Sequence, residues 1–273
     1  MKTILFLALT APLIFGCTKT DDDINIKDDH PAKPVTLLFK EEKKPVIKGF
    51  NGHYITYPSN HEKTSEPLPV LIYLHGLGQK GKGNSELGLL GEDGLGKLMK
   101  TGRLPLYFKG NEEKDFSFIT ISPQWSEKPD AKAINNLIKY LSDNFNIDSR
   151  RIYLAGISAG SIALSEIIVG VGHKIAAFVP IAGVSRDSEG KISRAAAENN
   201  LPVWAFHNEA DTVVPYTWTE NYVQNINNLK PQVKAKLTKF NLEDHDAWTR
   251  ALDPGFNQDG LNIYEWLLQY SKR

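Results

Sequence analysis

Residues 156–160 read Gly-Ile-Ser-Ala-Gly and place a serine between two glycines in the pattern G-x-S-x-G. This pattern is typical of a sharp turn that lifts a serine hydroxyl off the end of a strand and onto the start of a helix. The glycines are needed because the bend is tight and a neighbouring Cβ would clash. A strand-like stretch, 151–155, precedes the turn, and 161–168 follows with apolar residues at helical spacing. We therefore predict that Ser158 is a nucleophile.

A serine hydroxyl is a weak nucleophile, so it needs a base within hydrogen-bond reach. In hydrolases with this kind of turn the chain order is serine, acid, histidine. Three histidines follow Ser158: His173 comes one helix later, and His207 lies inside or just beyond a strand. His245 comes directly after the last predicted strand. We predict that His245 is the base.

The base must in turn be oriented by a carboxylate. The segment after the penultimate predicted strand reads His-Asn-Glu-Ala-Asp-Thr-Val-Val-Pro and supplies two carboxylates. Asp211 is the predicted acid, and Glu209 is the competing candidate. Asp244 and Asp246 flank the base in sequence, where a side chain can rarely fold back onto the imidazole.

Acyl transfer also needs backbone donors for the oxyanion. The N–H of the residue after the nucleophile, Ala159, is one predicted donor. The other comes from the loop after a predicted buried strand, which reads His-Gly-Leu-Gly-Gln from His75. We predict Leu77 as this donor, with Gly76 as the alternative. His75 is expected to brace the loop and not to titrate in the reaction.

The elements that must position these groups alternate along the chain. The predicted strands are 35–39, 53–57, 70–74, 117–121, 151–155, 176–181, 203–206 and 235–242, and the predicted helices are 131–145, 161–168, 216–229 and 263–270. This alternation predicts a mainly parallel sheet with helices on both faces. Ligands of such sheets bind beyond the carboxyl ends of the strands. Trp125 and Trp248 should lie at this edge, and we predict that both contact substrate.

Composition narrows the class of function. The 273 residues carry 32 basic and 32 acidic side chains, so a nucleic-acid partner is not indicated. No cluster of His or Cys has the spacing of metal ligands, and neither a metal nor an organic cofactor is expected.

The first 34 residues are expected to lie outside the fold. Residues 1–16 have a short basic start and an apolar run too short to span a bilayer, which predicts a signal peptide. Cys17 is the only cysteine, and the residues before it resemble a bacterial lipobox. Lipidation of Cys17 and a flexible acidic tether over 17–34 would follow. The tether also resembles the export signal of surface lipoproteins in the Bacteroidetes. We expect an exported lipoprotein, at the outer membrane or cell surface, held by its lipid anchor alone.

Five separated blocks carry a resemblance to a known family: YLHGLGQKG, ISPQW, RIYLAGISAG, VWAFHNEADTVVP and HDAWTRAL…YEWLL. They resemble the α/β-hydrolase family of predicted peptidases, close to feruloyl-esterase- and polyhydroxybutyrate-depolymerase-like carbohydrate esterases and to dienelactone hydrolases. The resemblance covers about residues 45 to 270 and implies an α/β-hydrolase fold for a single catalytic domain, 35–273. It implies the same triad and oxyanion donors as the residues themselves. Dienelactone hydrolases use a cysteine where this chain has Ser158.

The expected function is that of a serine carboxylic ester hydrolase, acting on acyl, feruloyl or acetyl esters of carbohydrates. One alternative is a serine peptidase related to prolyl oligopeptidases. Another, from a different class, is an inactive hydrolase-like surface lipoprotein that binds glycan.

Overall fold

A mixed sheet of eight strands runs through the computed structural model, which describes residues 34–62, 66–110 and 114–272. The predicted signal peptide and Cys17, with the tether up to residue 33, lie outside these residues. The described chain from Val35 onward clusters as one compact unit. Within it, no helix is long and apolar enough to cross a bilayer.

The sheet is mainly parallel. In chain order its strands are β1 (Leu37–Glu42), β2 (Gly52–Pro58), β3 (Leu68–Leu74), β6 (Ile119–Gln124), β7 (Ile147–Ile157), β8 (Ala177–Ile181), β9 (Trp204–Asn208) and β10 (Lys236–Phe240). Two short strands, β4 (Phe108–Lys109) and β5 (Asp115–Phe116), form a separate hairpin. The spatial order of the eight-stranded sheet is β1-β2-β6-β3-β7-β8-β9-β10, and within this sheet only the pairs β1–β2 and β2–β6 are antiparallel. The predicted parallel sheet is confirmed.

Alternate residues of the central strands supply two separate cores. In β3, Val70, Ile72 and Leu74 pack into one core, whereas Leu71 and Tyr73 pack into the other. Side chains of a strand point to opposite faces in turn. Both faces are apolar because both are covered by helices.

The helices divide between these two faces. Helices α2 (Ala131–Asn144), α3 (Ser158–Val171), α4 (Lys191–Glu198) and α5 (Tyr216–Asn228) contribute to the first core. Helices α1 (Gly94–Lys100), α6 (Trp248–Ala251) and α7 (Ile263–Leu267) contribute to the second. The long helices α2, α3 and α5 were predicted. Three short helices, α1, α4 and α6, were not, because helices of this length are marginal alone and depend on tertiary packing.

The topology brings distant segments to one edge of the sheet. Ser158 follows β7, His75 follows the neighbouring β3, and Asp211 and His245 follow the ends of β9 and β10. Because these four strands are parallel, their carboxyl ends meet at the same edge. That edge is the position of the candidate site.

Candidate active site

The backbone bends sharply at Ser158, between β7 and α3. Ser158 has φ +47°, a left-handed conformation that few residues other than glycine adopt. A Cβ on Gly160 would overlap the carbonyl oxygens of Leu74 and His75, and one on Gly156 would lie 2.9 Å from the Ser161 nitrogen. The two glycines of the motif therefore allow α3 to start directly against the end of β3. The strand-turn-helix context predicted for this motif is present.

Three side chains from separate segments form one hydrogen-bonded chain. The Ser158 Oγ lies 2.8 Å from His245 Nε2, and His245 Nδ1 lies 2.6 Å from Asp211 Oδ2. If Nδ1 carries the proton, it donates to the carboxylate and leaves Nε2 free to accept the hydroxyl proton. A hydroxyl, an imidazole and a carboxylate arranged in this way can activate the hydroxyl for attack on a carbonyl carbon. Ser158 and His245 are half-buried, so both residues are partly exposed to solvent.

The carboxylate of Asp211 is buried and held on both oxygens. Its Oδ1 accepts the N–H groups of Val213 at 2.8 Å and Val214 at 3.0 Å, while Oδ2 faces His245. Burial by itself would raise the pKa of Asp211. The hydrogen bonds from His245 and the two backbone amides outweigh burial, and the pKa lies below its ordinary value. The group is therefore a carboxylate at neutral pH.

Glu209, the competing acid, lies elsewhere. Its side chain is exposed and forms an ion pair with Lys239 at 2.7 Å. Two residues separate the candidates in sequence, and the turn after β9 directs Asp211 inward and Glu209 outward. The structure therefore brings only Asp211 to the histidine.

A second histidine touches Asp211, and sequence reasoning missed this contact. His207 lies in β9, as predicted, and is fully buried. Its Nε2 is 3.1 Å from the Val214 carbonyl oxygen and 3.2 Å from Asp211 Oδ2, and its Nδ1 is 2.8 Å from Thr219 Oγ1. The signal in the sequence was a histidine at a strand end, four residues before the acid.

The protonation state of His207 suits this position. Burial lowers its pKa, so the ring is neutral at neutral pH. With Nε2 protonated and Nδ1 accepting from Thr219, the ring presents an N–H dipole to the carboxylate and no full charge. A charged ring there would compete with His245 for the same oxygen. His207 thus holds the turn from Asp211 to Val214 in place.

The loop after β3 lies directly on the serine turn. Leu77–Gln79 forms a single 3₁₀ turn, and a Cβ on Gly76 would be 3.6 Å from the Cβ of Ser158. Leu77 and Ala159 each stand in the first turn of a helical segment, where N–H groups have no partner within the helix. Both amides are thus available close to Ser158, and their role as oxyanion donors remains a prediction.

His75 braces this loop. Its Nδ1 is 2.7 Å from the Gly76 carbonyl oxygen, which can only accept, so Nδ1 carries the proton. Its Nε2 then accepts the N–H of Trp125 at 3.2 Å. Burial lowers the pKa of His75 to about 4. The ring is therefore neutral and hydrogen-bonded at both nitrogens, which fits the bracing role predicted for His75.

Trp125 does not line the cleft, and the predicted contact of this residue with substrate is wrong. The residue is 2% exposed, and its ring stacks on His75 with centroids 4.8 Å apart and planes 14° apart. Trp125 directly follows β6 and packs into the first core, and its N–H is held by His75. Its indole supports His75 and offers no face to a ligand.

Trp248 lies beside the histidine. Its ring meets His245 edge-on at 5.2 Å, and its Nε1 donates to Asp93 Oδ2 at 2.9 Å. The indole is half-buried and lines a cavity of about 90 Å³ together with Asp93 and Leu252. Its position is compatible with the predicted contact with substrate, which stays a prediction.

No metal centre accompanies these groups in the described ranges, where no three His, Cys, Asp or Glu side chains are grouped to hold an ion. Residues 56–254 match the phospholipase/carboxylesterase family. The chain belongs to this family. It is a hydrolase of the esterase and serine hydrolase class, and its fold is the α/β-hydrolase fold that the sequence predicted.

One curated relative of this chain is a bifunctional acetylxylan esterase/xylanase of Neocallimastix patriciarum. It is 28% identical over 96 residues, which are 35% of this chain and 14% of the relative. The chain therefore spans only a small part of that protein's length.

Solved structures with the same fold include a thermostable esterase and a ferulic acid esterase. The first is 22% identical with a TM-score of 0.54, and the match covers 86% of this chain and 63% of that one. The second is 13% identical with a TM-score of 0.55 and covers 81% of this chain and 96% of that one. At these identities the likeness concerns the fold.

The close contact at Gly160 predicts a difference between two glycines of this esterase-family protein. Gly160→Ala places a Cβ against two backbone oxygens, so we expect it to lower the free energy of unfolding by about 1–3 kcal/mol or more. Gly78→Ala is the matched control, because no atom lies within 4 Å of its added Cβ. Urea unfolding measures both. Equal midpoints for the two variants would contradict the packing described for α3.

Proposed function

We propose that this protein hydrolyses carboxylic esters with Ser158 as nucleophile, His245 as base and Asp211 as acid. The observation that carries the proposal is the hydrogen-bonded chain of these three side chains, at 2.8 Å and 2.6 Å. Membership of a family of esterases supports the reaction class.

In the proposed mechanism, Ser158 Oγ attacks the ester carbonyl carbon and passes its proton to His245 Nε2. The carbonyl oxygen becomes an oxyanion, which accepts hydrogen bonds from the N–H groups of Leu77 and Ala159. When the tetrahedral intermediate collapses, the C–O bond to the alcohol breaks and His245 returns the proton to the leaving oxygen. Water then attacks the carbonyl carbon of the acyl-enzyme and passes a proton to His245 Nε2. The bond from this carbon to Ser158 Oγ breaks, His245 returns the proton to Oγ, and the acid is released.

Asp211 contributes by fixing the imidazole. Its carboxylate keeps the proton on His245 Nδ1, so that Nε2 can accept, and it stabilises the imidazolium that forms. The lowered pKa of Asp211 means that this carboxylate stays charged at neutral pH. The N-terminus of α3, which begins at Ser158, adds a partial positive charge near the oxyanion.

The proposed substrates are acyl, feruloyl or acetyl esters of carbohydrates. Support comes from the aligned relative that is named as an acetylxylan esterase and from the fold shared with a ferulic acid esterase. Trp248, half-buried beside His245, is the proposed substrate contact of the catalytic edge.

The nucleophile assignment is tested by Ser158→Ala. We expect hydrolysis of p-nitrophenyl acetate to fall by about three orders of magnitude or more, with little change in melting temperature, because only the attacking oxygen is removed. Ser142→Ala, an exposed serine on α2, is the control and should retain full activity. Activity of Ser158→Ala within tenfold of wild type would reject the nucleophile. The wild type is also assayed on methyl ferulate, acetylated xylan and a peptide anilide. Hydrolysis of the esters but not of the anilide supports an esterase, and the reverse supports a peptidase.

The acid assignment is tested by a pair of isosteric changes. Asp211→Asn should reduce kcat by about 10³ to 10⁴, because the amide favours the wrong imidazole tautomer. Glu209→Gln removes only a surface ion pair with Lys239 and should leave kcat close to wild type. His207→Ala removes a contact that positions the Asp211 carboxylate but keeps its charge. We expect it to reduce kcat by about tenfold to a hundredfold, between the other two variants. The assignment fails if Glu209→Gln proves the more damaging change.

We also propose that the protein is an exported lipoprotein anchored through Cys17, as the first residues of the sequence indicate. Metabolically supplied palmitate should then label the wild type, and Cys17→Ala should remain unlabelled and leave the membrane fraction. One acyl chain binds membranes weakly, so the mature form should carry a diacylglycerol too. A Cys17→Ala protein that still sediments with membranes would contradict the anchor.

A further inference from the structure

A polar groove of about 430 Å³ opens between the segment after β8 and helix α5. It contains no residue of the candidate triad. Its lining residues come from two segments and are mainly polar: Arg186, Asp187, Ser188, Thr217, Trp218, Asn221 and Asn225.

The groove has an aromatic wall with free amides beside it. Trp218 is partly buried, because its indole packs against the core under α5, and the rest of the ring lines the groove. Asn221 and Asn225 follow at spacings of three and four residues, so the three side chains share one face of α5. In the described chain, no protein group is hydrogen-bonded to either side-chain amide. A fixed ring flanked by free amides suits a ligand with an apolar C–H face and hydroxyl groups at its edges.

The opposite wall supplies donors. Arg186 is exposed and forms no ion pair with any described residue. Its neighbour Asp187 is already engaged, since its two oxygens accept the N–H groups of Ile192 at 3.0 Å and Ser193 at 2.9 Å. Asp187 thereby fixes the start of α4 and leaves the Arg186 guanidinium as the available charge. A guanidinium offers five N–H donors, and several can bind hydroxyl oxygens at once.

One segment of the chain connects the groove with residues that lie beside the triad. The Gly183 carbonyl accepts from Ser161 Oγ, on the first turn of the helix that Ser158 begins. A Cβ on Gly183 would lie 3.2 Å from Val214 Cγ1, and Val214 donates its N–H to Asp211. The segment from Gly183 to Arg186 therefore leads from the contacts around the triad to the groove.

We propose that this groove binds sugar residues of the neutral polysaccharide chain whose ester is cleaved at Ser158. A pyranose ring stacks on Trp218, and its hydroxyls bond to Asn221, Asn225 and Arg186. The proposal rests on the proposed ester hydrolysis and adds to it a recognition surface for the alcohol part of the substrate. It also accounts for a half-buried tryptophan and free polar side chains on one face of α5.

The test compares two substrates and one binding probe. For the wild type and for each single variant, kcat/KM is measured with acetylated xylohexaose and with p-nitrophenyl acetate. Trp218→Ala should lower the ratio of the first to the second by about tenfold, and Trp218→Phe, which keeps an aromatic face, should restore most of it. Asn221→Ala should lower the ratio by a smaller factor. Tyr107→Ala removes a half-exposed aromatic side chain outside the groove and should leave the ratio unchanged.

The binding arm does not depend on turnover. Unacetylated xylohexaose is titrated calorimetrically into Ser158→Ala and into Ser158→Ala/Trp218→Ala, with melting temperatures confirming that both are folded. We expect binding to the first protein and at least tenfold weaker binding to the second. Absence of xylohexaose binding, or an unchanged substrate ratio in Trp218→Ala, overturns the groove while leaving ester hydrolysis intact. If Ser158→Ala retains esterase activity, the proposed function fails, and the titration still decides whether the groove binds sugar.

Discussion

Ser158 adopts φ +47° at the point where β7 ends and α3 begins, a conformation that costs a residue with a side chain roughly 1–3 kcal/mol. The surrounding structure must hold it there. Gly156 and Gly160 remove the side chains that would otherwise separate α3 from the sheet, and Gly160 lies against the carbonyl groups at the end of β3. As a result the serine, the start of its helix and the loop after β3 come together. One close backbone contact thus positions both the candidate nucleophile and the candidate oxyanion donors.

The histidines around this turn have three different tasks. His245 is half-buried and lies between the serine and the carboxylate. His75 and His207 are buried, and burial lowers the pKa of each, so they serve as neutral hydrogen-bonding groups. One braces the loop that carries Leu77, and the other braces the turn that carries Asp211. A buried neutral ring can fix a neighbour without adding a charge that would disturb the carboxylate.

Two tryptophans, Trp125 and Trp248, add to this support. The Trp125 ring stacks on His75 and so supports the loop after β3 that His75 braces. Trp248 donates a hydrogen bond to Asp93, which caps α1, and its ring contacts the ring of His245 edge-on. The base is therefore packed against this indole. Trp218, by contrast, lies in the first turn of α5, and the part of its ring that is not packed against the core lines the proposed sugar groove.

The sequence alone determined the mainly parallel sheet, the long helices, and Ser158 and His245 as the candidate nucleophile and base. These follow from local signals: apolar runs of strand length, helical spacing in α2, α3 and α5, and a motif whose glycines serve one backbone geometry. The order of serine, acid and histidine was enough to choose His245, because only one histidine follows the last strand. Only the tertiary structure decided which carboxylate faces that histidine, since Asp211 and Glu209 lie two residues apart on one turn. It also decided that Trp125 is buried and that His207 touches Asp211, because both depend on how the segments after β6 and β9 pack against distant parts of the chain. Short helices such as α1 and α4 escaped prediction for the same reason: their stability comes from the core they cover and not from their own few residues.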